Sequence, residues 1–260
     1  MKKFYFLSGL PRTGSTVLSS ILNQHPNIHS SETSGLLELL LTTGRGILNA
    51  RKTYDIDDVK ESNIYRGMID GYYKHIEKEI IFDKNRGWPS MVLPLKKIDI
   101  DAKIICTIRP IPEIVASYIV LIEKNPNFLN FIDENIINKK IQINTFNRAM
   151  TIWGDVLQAP YSTVKEALLK TRKNLLVIQY DDIINNPIEV MNDVHSFIGL
   201  ERYYGYDFDN IVNNQPEKDE MGWKLKDLHV IRPKLNKISV APEKILGEEL
   251  VKYLSQFNLN

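Results

Sequence analysis

The stretch Phe4-Tyr5-Phe6-Leu7-Ser8-Gly9-Leu10-Pro11-Arg12-Thr13-Gly14-Ser15-Thr16 constrains this chain more than any other. Lys3 to Leu7 is short, aromatic-rich and ended by Ser8-Gly9, the pattern of a buried strand. Ser15 to Asn23 carries Val17, Leu18, Ile21 and Leu22 at helical spacing and runs into His25-Pro26, a natural stop. In a glycine-bearing turn between a strand and a helix, backbone N–H groups and the positive end of the helix dipole converge on an anion. Gly9 and Gly14 have the spacing of a nucleotide-triphosphate loop and Thr16 takes its hydroxyl position, but Ser15 stands where such a loop carries its lysine. The positive charge lies within the loop instead, on Arg12. The usual lysine reaches toward β- and γ-phosphates, whereas an arginine inside the loop can lie beside a compact phosphate–sulfate or diphosphate group and offer several donors.

Three further short apolar runs read as strands: Glu79 to Phe82, Ala102 to Ile108 and Asn174 to Tyr180. Each is flanked by charge, as expected of strands covered on both faces. Helical patterns occupy Leu36–Leu41, Glu61–Glu79, Ile111–Lys124 and Pro242–Phe257, and Gly205 to Pro242 reads as irregular. Strands alternating with helices predict an α/β fold, with a mostly parallel central sheet flanked by helices. At 260 residues the chain has room for one large domain or two small ones, and no shift in composition marks a boundary, so a single domain over 1–260 is expected.

Composition excludes several classes. With 33 Lys plus Arg against 32 Asp plus Glu, the net charge of +1 is too small for a bulk nucleic-acid binder, though it allows a local basic pocket. The single cysteine, Cys106, rules out a disulfide framework within the chain and any multi-cysteine metal site; inside an apolar run it reads as a buried, inert thiol. Met1-Lys2-Lys3 has the charge of a secretion signal, but the four apolar residues that follow fall short of the about 7–15 such a signal needs. No apolar stretch approaches the roughly 20 residues of a membrane span. Cytoplasmic retention is expected, with neither a membrane nor a nucleic acid as partner.

A second anion motif follows the strand Lys103-Ile104-Ile105-Cys106-Thr107-Ile108. Arg109 stands at its carboxyl end, where α/β folds place ligands, and Ser117 lies eight residues on, in the next helix. Pro-Arg-Thr-Gly-Ser-Thr, followed by a helix ending in His-Pro, resembles the 5′-phosphosulfate loop of the sulfotransferases that use 3′-phosphoadenosine 5′-phosphosulfate (PAPS). Arg109 with Ser117 looks like that family's 3′-phosphate motif, and Gln179-Tyr180-Asp181-Asp182-Ile183 through Pro187 resembles its Tyr-Glu-Asp-Leu-x-x-x-Pro block. The style of the motifs is closest to the tyrosylprotein and carbohydrate types. The resemblance implies a P-loop NTPase-like sulfotransferase fold and metal-independent, in-line transfer from PAPS, which leaves as adenosine 3′,5′-bisphosphate. Its acceptor is a hydroxyl on a carbohydrate, a peptidyl tyrosine or a small molecule. It also implies that Arg12, Thr13, Gly14, Ser15 and Thr16 hold the 5′ end, Arg109 and Ser117 the 3′-phosphate, and Tyr180 the adenosine. Within the basic run from Lys224 to Lys237, Arg232 and Lys237 are the residues expected to cover the 3′-phosphate.

For the chemistry, the resemblance makes Glu32 the carboxylate base, with His29 as its rival and His25 as a helix-end cap. A carboxylate serves as base if burial raises its pKa toward neutrality. Lys84 and Arg12 are expected at the sulfuryl group, and Arg86 and Trp88 beside the acceptor. Two readings compete: a P-loop kinase or nucleotide hydrolase with a degenerate loop, and a non-catalytic nucleotide-binding protein. Against the first, the strand ending at Ile108 offers no carboxylate for magnesium.

Overall fold

The structure is a computed structural model, described over residues 2–98, 100–126, 129–212, 224–236 and 241–259. Five strands, β1 (Lys3–Gly9), β2 (Ile28–Thr33), β3 (Ile80–Lys84), β4 (Ile104–Ile108) and β5 (Leu175–Gln179), pair in parallel in the order β2-β3-β1-β4-β5. Helix α1 (Ser15–Leu22) follows β1, α2 (Leu36–Ala50) and α3 (Asp58–Tyr72) follow β2, and α4 (Val92–Lys97) follows β3. After β4 come α5 (Ile111–Glu123), α6 (Phe131–Asn138), α7 (Thr145–Thr151) and α8 (Gln158–Lys170). Helices α9 (Tyr180–Asn185) and α10 (Pro187–Ile198) follow β5, and Pro242–Leu246 and Glu248–Ser255 are helical near the carboxyl end.

Alternation along β1 explains the layering. Phe6 packs with Ile81, Ile104, Trp88 and the apolar sides of α2, α3, α4 and α8 on one face of the sheet. Tyr5 and Leu7 pack on the other face with Leu18, Ile21 and Leu22 of α1 and with Val190, Val194 and Ile198 of α10. Residues from α5, α6 and α7 and the two carboxyl-terminal helices form a third apolar cluster beside the sheet. Covered on both faces, β1, β3 and β4 carry consecutive apolar residues at 4–7, 80–82 and 104–106. Cys106 is wholly buried in β4, and burial pushes its thiol up to about 12, so it is inert at neutral pH.

Several element limits depart from the sequence reading; α2 runs on to Ala50 and α3 ends at Tyr72, short of Glu79. Residues 28–33 form the edge strand β2, which polar His29, Ser30, Ser31, Glu32 and Thr33 concealed. Tyr180 opens α9 rather than closing β5. The carboxyl-terminal helical pattern breaks at Gly247, whose φ of +77° divides it in two. Among the described residues, no helix is long and apolar enough to cross a membrane.

Gly9 fixes how closely β4 approaches β1. Its φ is +125°, and a Cβ there would lie 2.1 Å from the Thr107 carbonyl oxygen, an overlap that only backbone displacement relieves. Gly67, in the middle of α3, has nothing within 4 Å of an added Cβ and no such backbone constraint. We therefore expect Gly9→Ala to lose about 3 kcal/mol or more of stability and Gly67→Ala to gain up to about 1 kcal/mol, both read by urea denaturation. Equal effects of the two substitutions would contradict the tight β1–β4 approach.

Candidate active site

Strand register brings the candidate residues to one end of the sheet. Gly9 of β1 pairs with Thr107 of β4, and Ile108 pairs with Gln179 of β5. The loop leaving β1, Arg109 after β4 and Tyr180 after β5 therefore emerge side by side. The junction between β1 and β4 is where the chain switches from building one half of the sheet to building the other, the position at which open α/β sheets bind ligands.

Within the loop, the Thr13 hydroxyl donates to the Leu10 carbonyl at 2.6 Å and meets the Thr107 hydroxyl at 2.6 Å, tying the turn to β4. Arg12 has φ +61° and Gly14 φ +83°, the left-handed conformations that turn the chain sharply into α1. A Cβ at Gly14 would press on the Tyr180 ring at 3.0 Å. No side chain caps α1, so its first N–H groups stay directed out of the helix toward the cleft.

Arg12 and Arg109 meet above this loop. Arg12 Nε donates to Ser117 Oγ at 3.1 Å, a second Arg12 nitrogen donates to the Leu228 carbonyl, and Arg109 donates to the Arg12 carbonyl at 3.4 Å. Arg109 is buried, pairs with Glu113 at 2.9 Å and lies with its guanidinium 4.3 Å from the Tyr180 ring centre. The cleft so formed encloses about 930 Å³ of non-atom space, counting the part open to solvent. Its described lining includes Arg12, Arg86, Arg109, Arg232 and Lys234 and no aspartate or glutamate. Such a donor set suits a polyanion.

The other candidates are less uniformly placed. Gly14, Ser15, Thr16, Ser117, Tyr180 and Arg232 line the cleft, while Thr13 is buried beneath it. Lys84 is also buried, its ammonium donating to Thr16 Oγ1 at 3.2 Å. Glu32 is exposed near the carboxyl end of β2, one residue before Thr33, which pairs with Lys84. His29 sits near the amino end of the same strand against Tyr73, and burial with nearby Lys78 and His75 lowers its pKa. That end of the sheet faces away from the cleft, so His29 does not rival Glu32. The His25 ring accepts from the Asn27 N–H at 3.1 Å and closes the turn after α1. Lys224 pairs with Glu134 and Lys234 with Asp209. Lys237 lies outside the described residues.

Trp88 is not at an acceptor surface. It is fully buried, lies tilted against Phe6 with ring centres 4.2 Å apart and donates its indole N–H to Asp83 Oδ1 at 2.7 Å. Asp83 itself is a functional neighbour that sequence reasoning missed. It is wholly buried and accepts from Ser34 and, at 2.6 Å, from the Tyr73 hydroxyl. Burial raises its pKa, against hydrogen bonds from Ser34, Tyr73 and Trp88 that lower it. The only hint in sequence was an acidic residue directly after the run Ile80-Ile81-Phe82. The carboxyl group ties the start of α2, the end of α3 and the turn after β3 together, and so anchors the segment bearing Lys84.

A profile described as the sulfotransferase family matches residues 5–204. The chain belongs to the sulfotransferase family. It is 22% identical over 209 residues to protein-tyrosine sulfotransferase A of Caenorhabditis elegans, covering 76% of this chain and 50% of that protein. It is 20% identical over 207 residues to protein-tyrosine sulfotransferase 2 of Gallus gallus, covering 75% and 50%. The chain thus spans about half the length of the curated relatives it matches. Among solved structures, a sulfotransferase domain from the curacin biosynthetic pathway superposes with a TM-score of 0.52 at 13% identity, over 98% of this chain and 90% of that one. The architecture is the P-loop-like sulfotransferase fold.

Because Asp83 binds its proton more tightly in the folded than in the unfolded chain, its contribution to stability is complete below the ordinary carboxylate range, near about 4. That contribution is lost as pH rises through the folded value. Tyr73→Phe removes a donor that stabilises the ionised form. It should therefore extend the fall of stability with rising pH to higher pH than in the wild type, measured by urea denaturation between about pH 4 and pH 9. A cost independent of pH would show that Tyr73 does not act through Asp83.

Proposed function

We propose that the chain is a PAPS-dependent sulfotransferase acting on a hydroxyl-bearing acceptor, in a single domain over 1–260. The observation that carries this reading is the convergence of two sequence-distant arginines, Arg12 and Arg109, on a cleft whose described lining holds no acid, above an uncapped helix. When bound, PAPS supplies a sulfuryl group already joined to a good leaving phosphate. Arg109 and Ser117 would hold its 3′-phosphate, and the N–H groups from Thr13 to Thr16 its 5′ end. Tyr180 would flank the adenosine, and Arg232 would help cover the 3′-phosphate, the role also expected of Lys237. Arg12 and Lys84 neutralise negative charge at the loop, and Glu32 takes the proton of the attacking hydroxyl. Positioned charge of this kind needs no metal to act. The names of the relatives support a peptidyl tyrosine as one acceptor class; a carbohydrate or a small molecule is equally compatible with the cleft.

A ligand at about 100 times its dissociation constant stabilises a fold by about 2.7 kcal/mol. Adenosine 3′,5′-bisphosphate without metal should therefore raise the melting temperature clearly, and Mg-ATP should not. The reverse pattern would establish the kinase or hydrolase reading instead. Arg109→Ala should weaken bisphosphate binding by roughly tenfold or more while sparing adenosine 5′-phosphosulfate. Equal losses for the two nucleotides would remove Arg109 from the 3′-phosphate. Glu32→Gln should lower turnover about 10²–10⁴-fold with bisphosphate affinity retained, tested over a panel of phenolic and carbohydrate acceptors. Unchanged turnover would exclude Glu32 as the base.

A further inference from the structure

We propose that Arg86 binds the sulfuryl group of the donor and lets the cleft distinguish PAPS from its bisphosphate product. This rests on the donor reading above and adds a residue to it.

Charge partners separate Arg86 from the other cations of the cleft. Arg109 is paired with Glu113, Lys234 with Asp209, and Arg12 is engaged by Ser117 and the Leu228 carbonyl. Arg232 is exposed to water. Arg86 is half-buried, and among the described residues its guanidinium makes no ion pair or hydrogen bond. A partly desolvated guanidinium without an acceptor is unfavourable unless a ligand brings anionic oxygens to it. Its planar fork of donors matches the oxygens of a sulfuryl group.

Location selects the sulfuryl end of the nucleotide. A recess behind Arg109, lined by Ser117, Lys124, Asn125 and Lys226, shares Arg12, Arg109 and Arg232 with the cleft. Arg86 lines the cleft alone, together with Thr16 and Val17 of α1, and takes no part in that recess. It therefore belongs to the loop end and not to the Arg109–Ser117 end. Lys84, the cation expected there, is buried and is not part of the described lining. The sulfuryl group is the part of the donor that extends past the 5′-phosphate, and it is absent from the product.

The backbone beneath Arg86 is firmly held. Its carbonyl accepts from the Ser8 hydroxyl at 3.0 Å, the Asn85 N–H donates to the Leu7 carbonyl at 3.0 Å, and the Gly87 N–H donates to Asn85 Oδ1 at 3.0 Å. The Asn85 amide also donates to both Glu38 oxygens, at 3.1 and 3.2 Å. These bonds fix the root of the Arg86 side chain beside the end of β1, so its placement needs little ordering when the ligand arrives.

Calorimetric titration of PAPS and of adenosine 3′,5′-bisphosphate into the wild type, Arg86→Ala, Arg86→Gln and Arg109→Ala tests the proposal. Both Arg86 variants should bind PAPS roughly ten- to a hundredfold more weakly while bisphosphate affinity stays within about threefold, an interval smaller than one such hydrogen bond provides. Arg109→Ala should weaken both nucleotides together. If the Arg86 variants lose both nucleotides equally, or neither, Arg86 does not read the sulfuryl group and the proposal is overturned. If the wild type binds neither nucleotide, the donor reading fails, and the proposal fails with it.

Discussion

Everything at the candidate site depends on how closely β4 lies against β1. Gly9 offers no side chain where the Thr107 carbonyl sits, so the two strands stay in register to their carboxyl ends. Because Gly9 faces Thr107, the loop that follows Gly9 and the arginine that follows β4 leave the sheet as neighbours. The Thr13–Thr107 hydroxyl contact locks that arrangement from below. A wider separation would leave two surface arginines with no common ligand. As built, two local motifs about one hundred residues apart meet in one cationic surface.

The concentration of charge gives the near-neutral composition its meaning. A chain with a net charge of +1 gathers five arginine and lysine side chains around a cleft whose described lining holds no acid. Like charges repel more strongly where protein replaces water, and the structure spreads that cost among specific partners. Glu113 stands behind Arg109, Tyr180 lies against its guanidinium, and Ser117 and the Leu228 carbonyl accept from Arg12. These partners are weak or displaceable beside a polyanion, so they hold the side chains near the cleft without filling the role of a ligand.

Local signals in the sequence were enough for the core of this arrangement. The first strand, the loop, Arg109 with Ser117, and the parallel sheet all follow from short apolar runs and residues at fixed offsets. What escaped was held by polar contacts between separate elements. The edge strand β2 is polar because it docks on α1 through hydroxyls and an amide: Ser19 meets Ser30 at 2.8 Å, and Asn23 exchanges two bonds with the Ser30 backbone at 2.8 Å. No apolar pattern announces such an interface. Asp83 and Trp88 looked like loop residues until Tyr73 at the end of α3 and Ser34 before α2 closed around them. Arg86 was legible as a cation near the site, but that its guanidinium has no partner among the described residues became visible only in three dimensions.

A crystal structure with adenosine 3′,5′-bisphosphate tests the central claim most directly. The account predicts the 3′-phosphate against Arg109 and Ser117, the 5′-phosphate on the N–H groups from Thr13 to Thr16, and one nucleotide spanning both motifs. A nucleotide held by the loop with its 3′-phosphate in solvent, or bound elsewhere on the protein, would contradict it.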